Sequence, residues 1–86
     1  MLNPQNLSTF IDNCGATGEH ARLRTASHRL ADAYQRSWGE RKDALNLAAA
    51  ACGHHATAIA MRLDGRVEFA LRQEALGDEC LQMLGA

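Results

Sequence analysis

The sequence contains a single proline, Pro4, among its 86 residues. Because proline breaks the interior of a helix, its near absence permits long uninterrupted helices. Valine, isoleucine and threonine, which favour strands, are also few, and no segment alternates apolar and polar residues with a period of two. These absences argue against β-structure and predict an all-α protein.

Disulfide frameworks and long apolar runs are absent as well. The three cysteines, Cys14, Cys52 and Cys80, are odd in number and widely spaced, which is typical of free thiols in a reducing compartment. The longest apolar run, residues 47–52, is too short to cross a bilayer. The N-terminus has neither the basic nor the apolar region of a signal peptide. We therefore predict a cytoplasmic protein with no membrane partner.

Large apolar side chains are scarce. Apolar residues make up 47% of the chain, but 16 of these 40 residues are alanine and three are cysteine. Alanine favours a helix yet buries little area. A chain of this length forms one domain, residues 1–86, and buries only about 60–65% of its unfolded surface. We expect a thin core that gains stability from a partner or from a second copy of the chain.

Capping residues predict a short first helix. Asn3 is a good N-cap and Pro4 suits the first helical position, while Gly15 is expected to end this helix after about three turns. Thr17 is then expected to cap the second helix.

Two further turns divide the rest of the chain. Residues 37–40 match the Ser-x-x-Glu capping box, which predicts a turn before a third helix over 40–63. The alternative is one unbroken helix that carries Gly39 at a cost of about 1 kcal/mol. Asp-Gly at 64–65 predicts a second turn before a last helix over 66–84. The expected fold is thus a small helical bundle, one short N-terminal helix plus three longer antiparallel helices, that self-associates.

A faint internal similarity supports an antiparallel hairpin. Gly39 and Gly65 are each followed by Ala-Leu five and six positions later. The second copy, preceded by Ala56, Ala60 and Met61, resembles the middle of a tetratricopeptide-type helical hairpin over about 25 residues. The 26-residue offset differs from the repeat of about 34 in that family, and the large residue expected at position 57 is a threonine. What the resemblance implies is the hairpin alone.

A basic ridge is expected on the second helix. Arg22, Arg29 and Arg36 lie seven residues apart, so they share one helix face. Tyr34 and Trp38 lie beside them, and Trp, Tyr and Arg are the residue types that dominate interface hot spots. We take these five residues as the candidate partner-binding surface.

The charge distribution leaves an alternative for the ridge. Residues 18–42 carry a net charge of +3 and residues 43–86 one of -3, so the two parts can complement each other within or between chains. In the alternative, the arginines pair internally with Glu68, Glu74 or Asp78 of the last helix.

The last helix carries two apolar stripes, and a helix that is apolar on two sides must bury both. The first stripe consists of Val67, Leu71 and Leu81. The second consists of Phe69, Leu76, Cys80 and Met83. Because so small a chain has little to cover both sides with, we take the second stripe as the candidate oligomer interface.

Catalytic and metal chemistry have little support. Cys52 and His55 are three apart and share a helix face, but a structural zinc site needs four ligands, and His54 is expected to face solvent. No glycine-rich turn displays a nucleophile, and Glu74 with Asp78 is typical of a solvated face. We predict no catalytic residue, no metal and no cofactor.

The leading hypothesis is a non-enzymatic protein–protein interaction module. It would be a small regulator, inhibitor or adaptor of a larger protein complex, for example an accessory protein of a bacterium or phage. One alternative is a nucleic-acid-binding regulator that uses residues 17–38, although the net charge of -1 argues against nucleic acid. A second alternative is a metal-binding protein that uses Cys52, His54 and His55.

Overall fold

Four helices account for most of residues 2–85, the part of the chain that the computed structural model describes. They are α1 (Pro4–Thr17), α2 (His20–Gln35), α3 (Gly39–Leu63) and α4 (Val67–Leu84). No strand occurs within residues 2–85. The all-α prediction is confirmed, and α1 is the shortest helix with 14 residues.

The helix α3 is the centre of the arrangement because it packs against each of the other three helices. The turns that join α2 to α3 and α3 to α4 are three residues each, 36–38 and 64–66, so consecutive helices form antiparallel hairpins. Within the described residues, α2 and α4 lie on different sides of α3 without contacting each other. The first helix contacts all three and completes the bundle, which measures 39 × 21 × 19 Å.

The core joins the apolar faces of α1 and α3 to single large side chains from α2 and α4. Its buried members are Leu7, Ile11, Cys14, Leu23, Ala48, Ala51, Cys52, Ala56, Ile59 and Leu81. No polar or charged residue is buried within residues 2–85. Alanine and cysteine make up half of this cluster, so the expectation of a thin core is confirmed. No helix of the described chain is both long enough and apolar enough to cross a membrane.

Small residues bring α2 and α4 close to α3. The hydroxyl of Ser27 donates a hydrogen bond of 2.8 Å to the carbonyl oxygen of Ala49. On the other side of α3, the buried face of α4 is formed by Ala70, Gly77 and Leu81. The predicted first stripe of α4 is therefore wrong for two of its members, since Val67 and Leu71 are exposed. A close helix pair selects small contact residues, whereas the sequence pattern was built on large ones.

The end of α1 lies three residues beyond the prediction. Gly15 is inside the helix, and Gly18 ends it with a φ of 73°, a left-handed conformation that glycine adopts without steric cost. Thr17 is the last residue of α1, and its hydroxyl lies 2.7 Å from a carboxylate oxygen of Glu19. Thr17 thus does not cap α2, whose N-cap position is Glu19.

The turn between α2 and α3 is confirmed, but the capping box is wrong. The hydroxyl of Ser37 donates to the carbonyl oxygen of Ala33 in the preceding helix, and the N-cap position of α3 is Trp38. Gly39 has a φ of 66°, which is incompatible with an α-helix that continues from α2. The alternative of one unbroken helix is therefore excluded.

Candidate functional site

The arginine ridge, defined as Arg22, Arg29 and Arg36, is exposed. Arg22 and Arg29 lie on α2, and Arg36 is the C-cap residue at the start of the following turn. Arg22 lies 3.7 Å from a carboxylate oxygen of Glu19, and its guanidinium stacks 5.1 Å from the centre of the Phe10 ring. These contacts hold the first arginine of the ridge between the middle of α1 and the N-cap of α2.

The other two arginines are differently placed. Arg29 lines a shallow depression between α1 and α2, and Arg36 lines another together with Trp38. Within residues 2–85, neither forms a salt bridge. Their guanidinium groups are available to a carboxylate from another molecule.

Pairing of the ridge with the acidic residues of α4 is contradicted by the structure. The two helices do not touch within the described residues. Glu74 instead binds Arg62, and Asp78 binds His55, so both pair with α3. The charge asymmetry of the two parts of the chain is thus not neutralised between α2 and α4.

The two aromatic residues of the predicted surface are separated by the fold. Trp38 is 82% exposed at the turn between α2 and α3, the largest exposure among the large apolar side chains of residues 2–85. Tyr34 is half-buried, and its ring lies 4.5 Å from the amine of Lys42. Trp38 is therefore the exposed aromatic side chain beside the ridge, and Tyr34 lies against Lys42 of α3.

The predicted oligomer stripe of α4 is largely on the surface. Phe69, Leu76 and Met83 are 49%, 42% and 73% exposed. Cys80, the fourth predicted member, is half-buried and packs against the core. Two guanidinium groups, of Arg66 and Arg72, lie 5.3 and 5.7 Å from the centre of the Phe69 ring. The exposed part of the predicted oligomer stripe thus consists of three side chains, Phe69, Leu76 and Met83, which we call the α4 stripe.

The three residues weighed as metal ligands have different surroundings. Cys52 is fully buried, and burial raises the pKa of its thiol to about 11. His54 is half-buried and forms a 2.8 Å hydrogen bond with the side-chain oxygen of Gln73, so the expectation that it faces solvent is wrong. His55 contacts Asp78 at 3.0 Å. Among residues 2–85, no group of three or more His, Cys, Asp or Glu side chains is arranged to hold a metal ion.

A cleft of about 500 Å³ between α1, α3 and α4 was not predicted from the sequence. Two side-chain pairs cross it from α3 to α4, the His55–Asp78 pair and the Arg62–Glu74 pair. The two nitrogens of Arg62 lie 2.5 and 2.9 Å from the two carboxylate oxygens of Glu74. This hydrogen bonding lowers the pKa of the Glu74 carboxyl and raises that of Arg62, so both groups remain charged at neutral pH.

The described residues that line the cleft include no serine, threonine, cysteine, lysine or tyrosine, the side chains that form covalent intermediates most often. The thiol of Cys14, in the neighbouring core, has a pKa that burial raises. The two pairs link α3 to α4 at this cleft.

The imidazole of His55 has room only because residue 77 is glycine. A Cβ atom at Gly77 would lie 2.7 Å from Nε2 of His55 and 3.3 Å from the carbonyl oxygen of Ala51. A glycine in the middle of an otherwise favourable helix costs about 1 kcal/mol and often marks such a close approach. Gly77 is the one signal in the sequence that pointed to this contact.

Gly77→Ala is expected to lower the free energy of unfolding by about 1–3 kcal/mol, because the added methyl group displaces the His55 ring. In a His55→Ala background the loss is expected to be smaller, because the ring is gone and only the 3.3 Å approach to the carbonyl oxygen of Ala51 remains, partly offset by the higher helix propensity of alanine. Urea denaturation of the four proteins measures this double-mutant cycle. Equal effects of Gly77→Ala in both backgrounds would show that the ring is not the obstacle.

Comparison with known proteins does not indicate a function for this chain. The chain matches no protein-family model, no curated protein and no solved structure.

Proposed function

We propose that this protein is a non-enzymatic protein-binding module, a small regulator, inhibitor or adaptor that self-associates through α4 and docks on a larger protein through α2. The observation that supports it is the placement of large apolar side chains outside the core. Trp38, Leu63, Val67, Phe69, Leu71, Leu76 and Met83 are all exposed, while five alanines lie in the interior. Exposed apolar patches in a folded protein mark contact surfaces.

The docking surface that we propose is the arginine ridge with Trp38. Arg29 and Arg36 are exposed and carry no intramolecular salt bridge within residues 2–85, and Trp38 is exposed at the end of the same face. Arginine pairs with carboxylates through a planar fork of donors, and tryptophan supplies apolar area at little cost in conformational entropy. A partner with an acidic surface and an apolar pocket fits this combination.

The free thiols agree with a cytoplasmic setting. Cys14, Cys52 and Cys80 are all unpaired, and burial raises the pKa of each thiol. Protonated, buried thiols react slowly, which fits a structural role for all three cysteines rather than a catalytic one.

Charge reversal at Arg29 tests the docking surface. If this arginine is buried against a carboxylate of the partner, Arg29→Glu is expected to weaken binding by about 30-fold or more, whereas an exposed pair would give less than about fivefold. The melting temperature should change little, because Arg29 is exposed and unpaired in the monomer.

The matched control is Arg24→Glu, which changes the same residue type on the opposite face of α2, where Arg24 contacts Thr57. Affinity capture with quantitative mass spectrometry identifies the partner as a protein retained by the wild type and by Arg24→Glu but lost by Arg29→Glu. Equal retention by all three proteins would contradict the docking surface. Loss of a nucleic acid instead of a protein would favour the nucleic-acid-binding alternative.

A further inference from the structure

We propose that the α4 stripe binds a second copy of this chain in an antiparallel arrangement, with Leu76 at the two-fold axis. The proposal rests on the self-association in the proposed function and specifies its geometry. The stripe residues Phe69, Leu76 and Met83 are seven residues apart, so they form one line along an 18-residue helix. A line that is symmetric about Leu76 places Phe69 of one copy opposite Met83 of the other when the two helices run in opposite directions.

The charges beside the stripe have the same centre of symmetry. Arg72 and Glu79 are both exposed, and both lie on the same flank of the stripe, about 40–60° round the helix from Leu76. In an antiparallel pair with a two-fold axis, the flank that carries Arg72 and Glu79 on one helix contacts the same flank of the other helix. Because the second helix runs in the opposite direction, the two residues follow in the opposite order there. Arg72 of each copy then faces Glu79 of the other, which gives two identical ion pairs.

A parallel pair would lack this complementarity. Its two-fold axis runs along the helices, so the flank with Arg72 and Glu79 would meet the opposite flank of the second copy. That flank carries Gln73 and Cys80, neither of which offers an opposite charge. Residues that flank an apolar helix seam set the orientation of the partner, and here they favour the antiparallel one.

The three side chains of the α4 stripe are exposed to solvent in the single chain. The ring of Phe69 lies 5.3 and 5.7 Å from the guanidinium groups of Arg66 and Arg72, and it is still 49% exposed. Leu76 and Met83 are 42% and 73% exposed. A second copy supplies apolar side chains to all three positions at once. With only three apolar side chains per copy, the dimer is expected to dissociate on dilution.

Charge reversal tests the arrangement through dimer dissociation constants, measured by sedimentation velocity over a range of concentrations. Arg72→Glu alone and Glu79→Arg alone each place like charges together twice, so each is expected to weaken the homodimer roughly tenfold. The double variant Arg72→Glu/Glu79→Arg is expected to regain the dimer dissociation constant of the wild type. An equimolar mixture of the two single variants is expected to form a heterodimer tighter than either homodimer.

The double variant and Asp32→Arg serve as controls for these measurements. The double variant also lacks the contact between Arg72 and Phe69, so its recovery would show that charge pairing, and not this contact, is responsible. Asp32→Arg, a charge reversal at an exposed position of α2, should leave the dissociation constant unchanged. Circular dichroism verifies that each variant keeps its helices.

Two results would overturn the proposal. One is a wild-type chain that stays monomeric up to millimolar concentration. The other is a dimer that none of the single reversals weakens, as expected for a parallel pair or for another interface. Docking on a larger protein is judged separately by the Arg29 variant, so a failure of the dimer geometry leaves that test intact.

Discussion

Replacing Leu23 with alanine is expected to lower the free energy of unfolding by about 3 kcal/mol. Leu23 is fully buried, and it is the largest fully buried side chain of the described residues. Truncation removes apolar contacts and leaves a cavity, which typically costs about 2–5 kcal/mol for a buried leucine. Its cluster is rich in alanine and cysteine, and such short side chains have little freedom to fill the space.

A loss of this size is a large fraction of the total stability of a small domain, about 5–15 kcal/mol. Urea denaturation followed by circular dichroism measures it. Leu63→Ala makes the same chemical change at a position that is 69% exposed, and it should cost less than about 1 kcal/mol. If the two variants lose similar stability, Leu23 is not the anchor of α2 that the structure describes.

Replacing Trp38 with alanine is expected to weaken binding to the protein partner by about 30-fold or more, which corresponds to an interface hot spot of about 2 kcal/mol or more. The free energy of unfolding should change little, because the side chain is exposed and makes no capping hydrogen bond to α3. Binding affinity, measured by titration calorimetry with the partner identified by capture, checks the expectation.

The comparison for this variant is again Leu63→Ala, which removes an exposed apolar side chain outside the ridge. We expect it to bind the partner with wild-type affinity. An equal loss of affinity in both variants would indicate a general effect of surface apolarity rather than a contact made by Trp38. A Trp38→Ala variant that binds normally would remove this residue from the docking surface.

Part of the candidate site could be predicted from spacing alone. A seven-residue period keeps Arg22 and Arg29 on one face of α2 whatever the helix packs against, and both are exposed. Arg36 is also exposed, but it lies at the C-cap, where α2 has ended. The same reasoning grouped Phe69, Leu76 and Met83, which are also exposed. That these surfaces bind proteins stays a prediction, since exposure alone does not identify what covers them.

Other parts of the site depend on distances between helices. The sequence grouped Tyr34 and Cys80 with exposed residues, but both are half-buried: Tyr34 lies against Lys42 of α3, and Cys80 packs against the core. The His55–Asp78 contact joins residues 23 positions apart, and it exists because Gly77 lets the ring lie against α4. Spacing within one helix carries no information about such a pairing between two helices.

The number of helices and the positions of the turns at 36–38 and 64–66 were determined by the sequence itself, because they depend on local residue properties. Asn3 accepts a hydrogen bond from the backbone N–H of Asn6, Pro4 begins α1, and the turn at 64–66 contains the predicted Asp-Gly pair. Only the tertiary structure decided which side of α4 is buried. Ala70 and Gly77 let its backbone approach α3 closely, and this approach leaves the larger Val67 and Leu71 outside. The interaxial distance depends on both helices together, so neither helix's own pattern of apolar residues determines it.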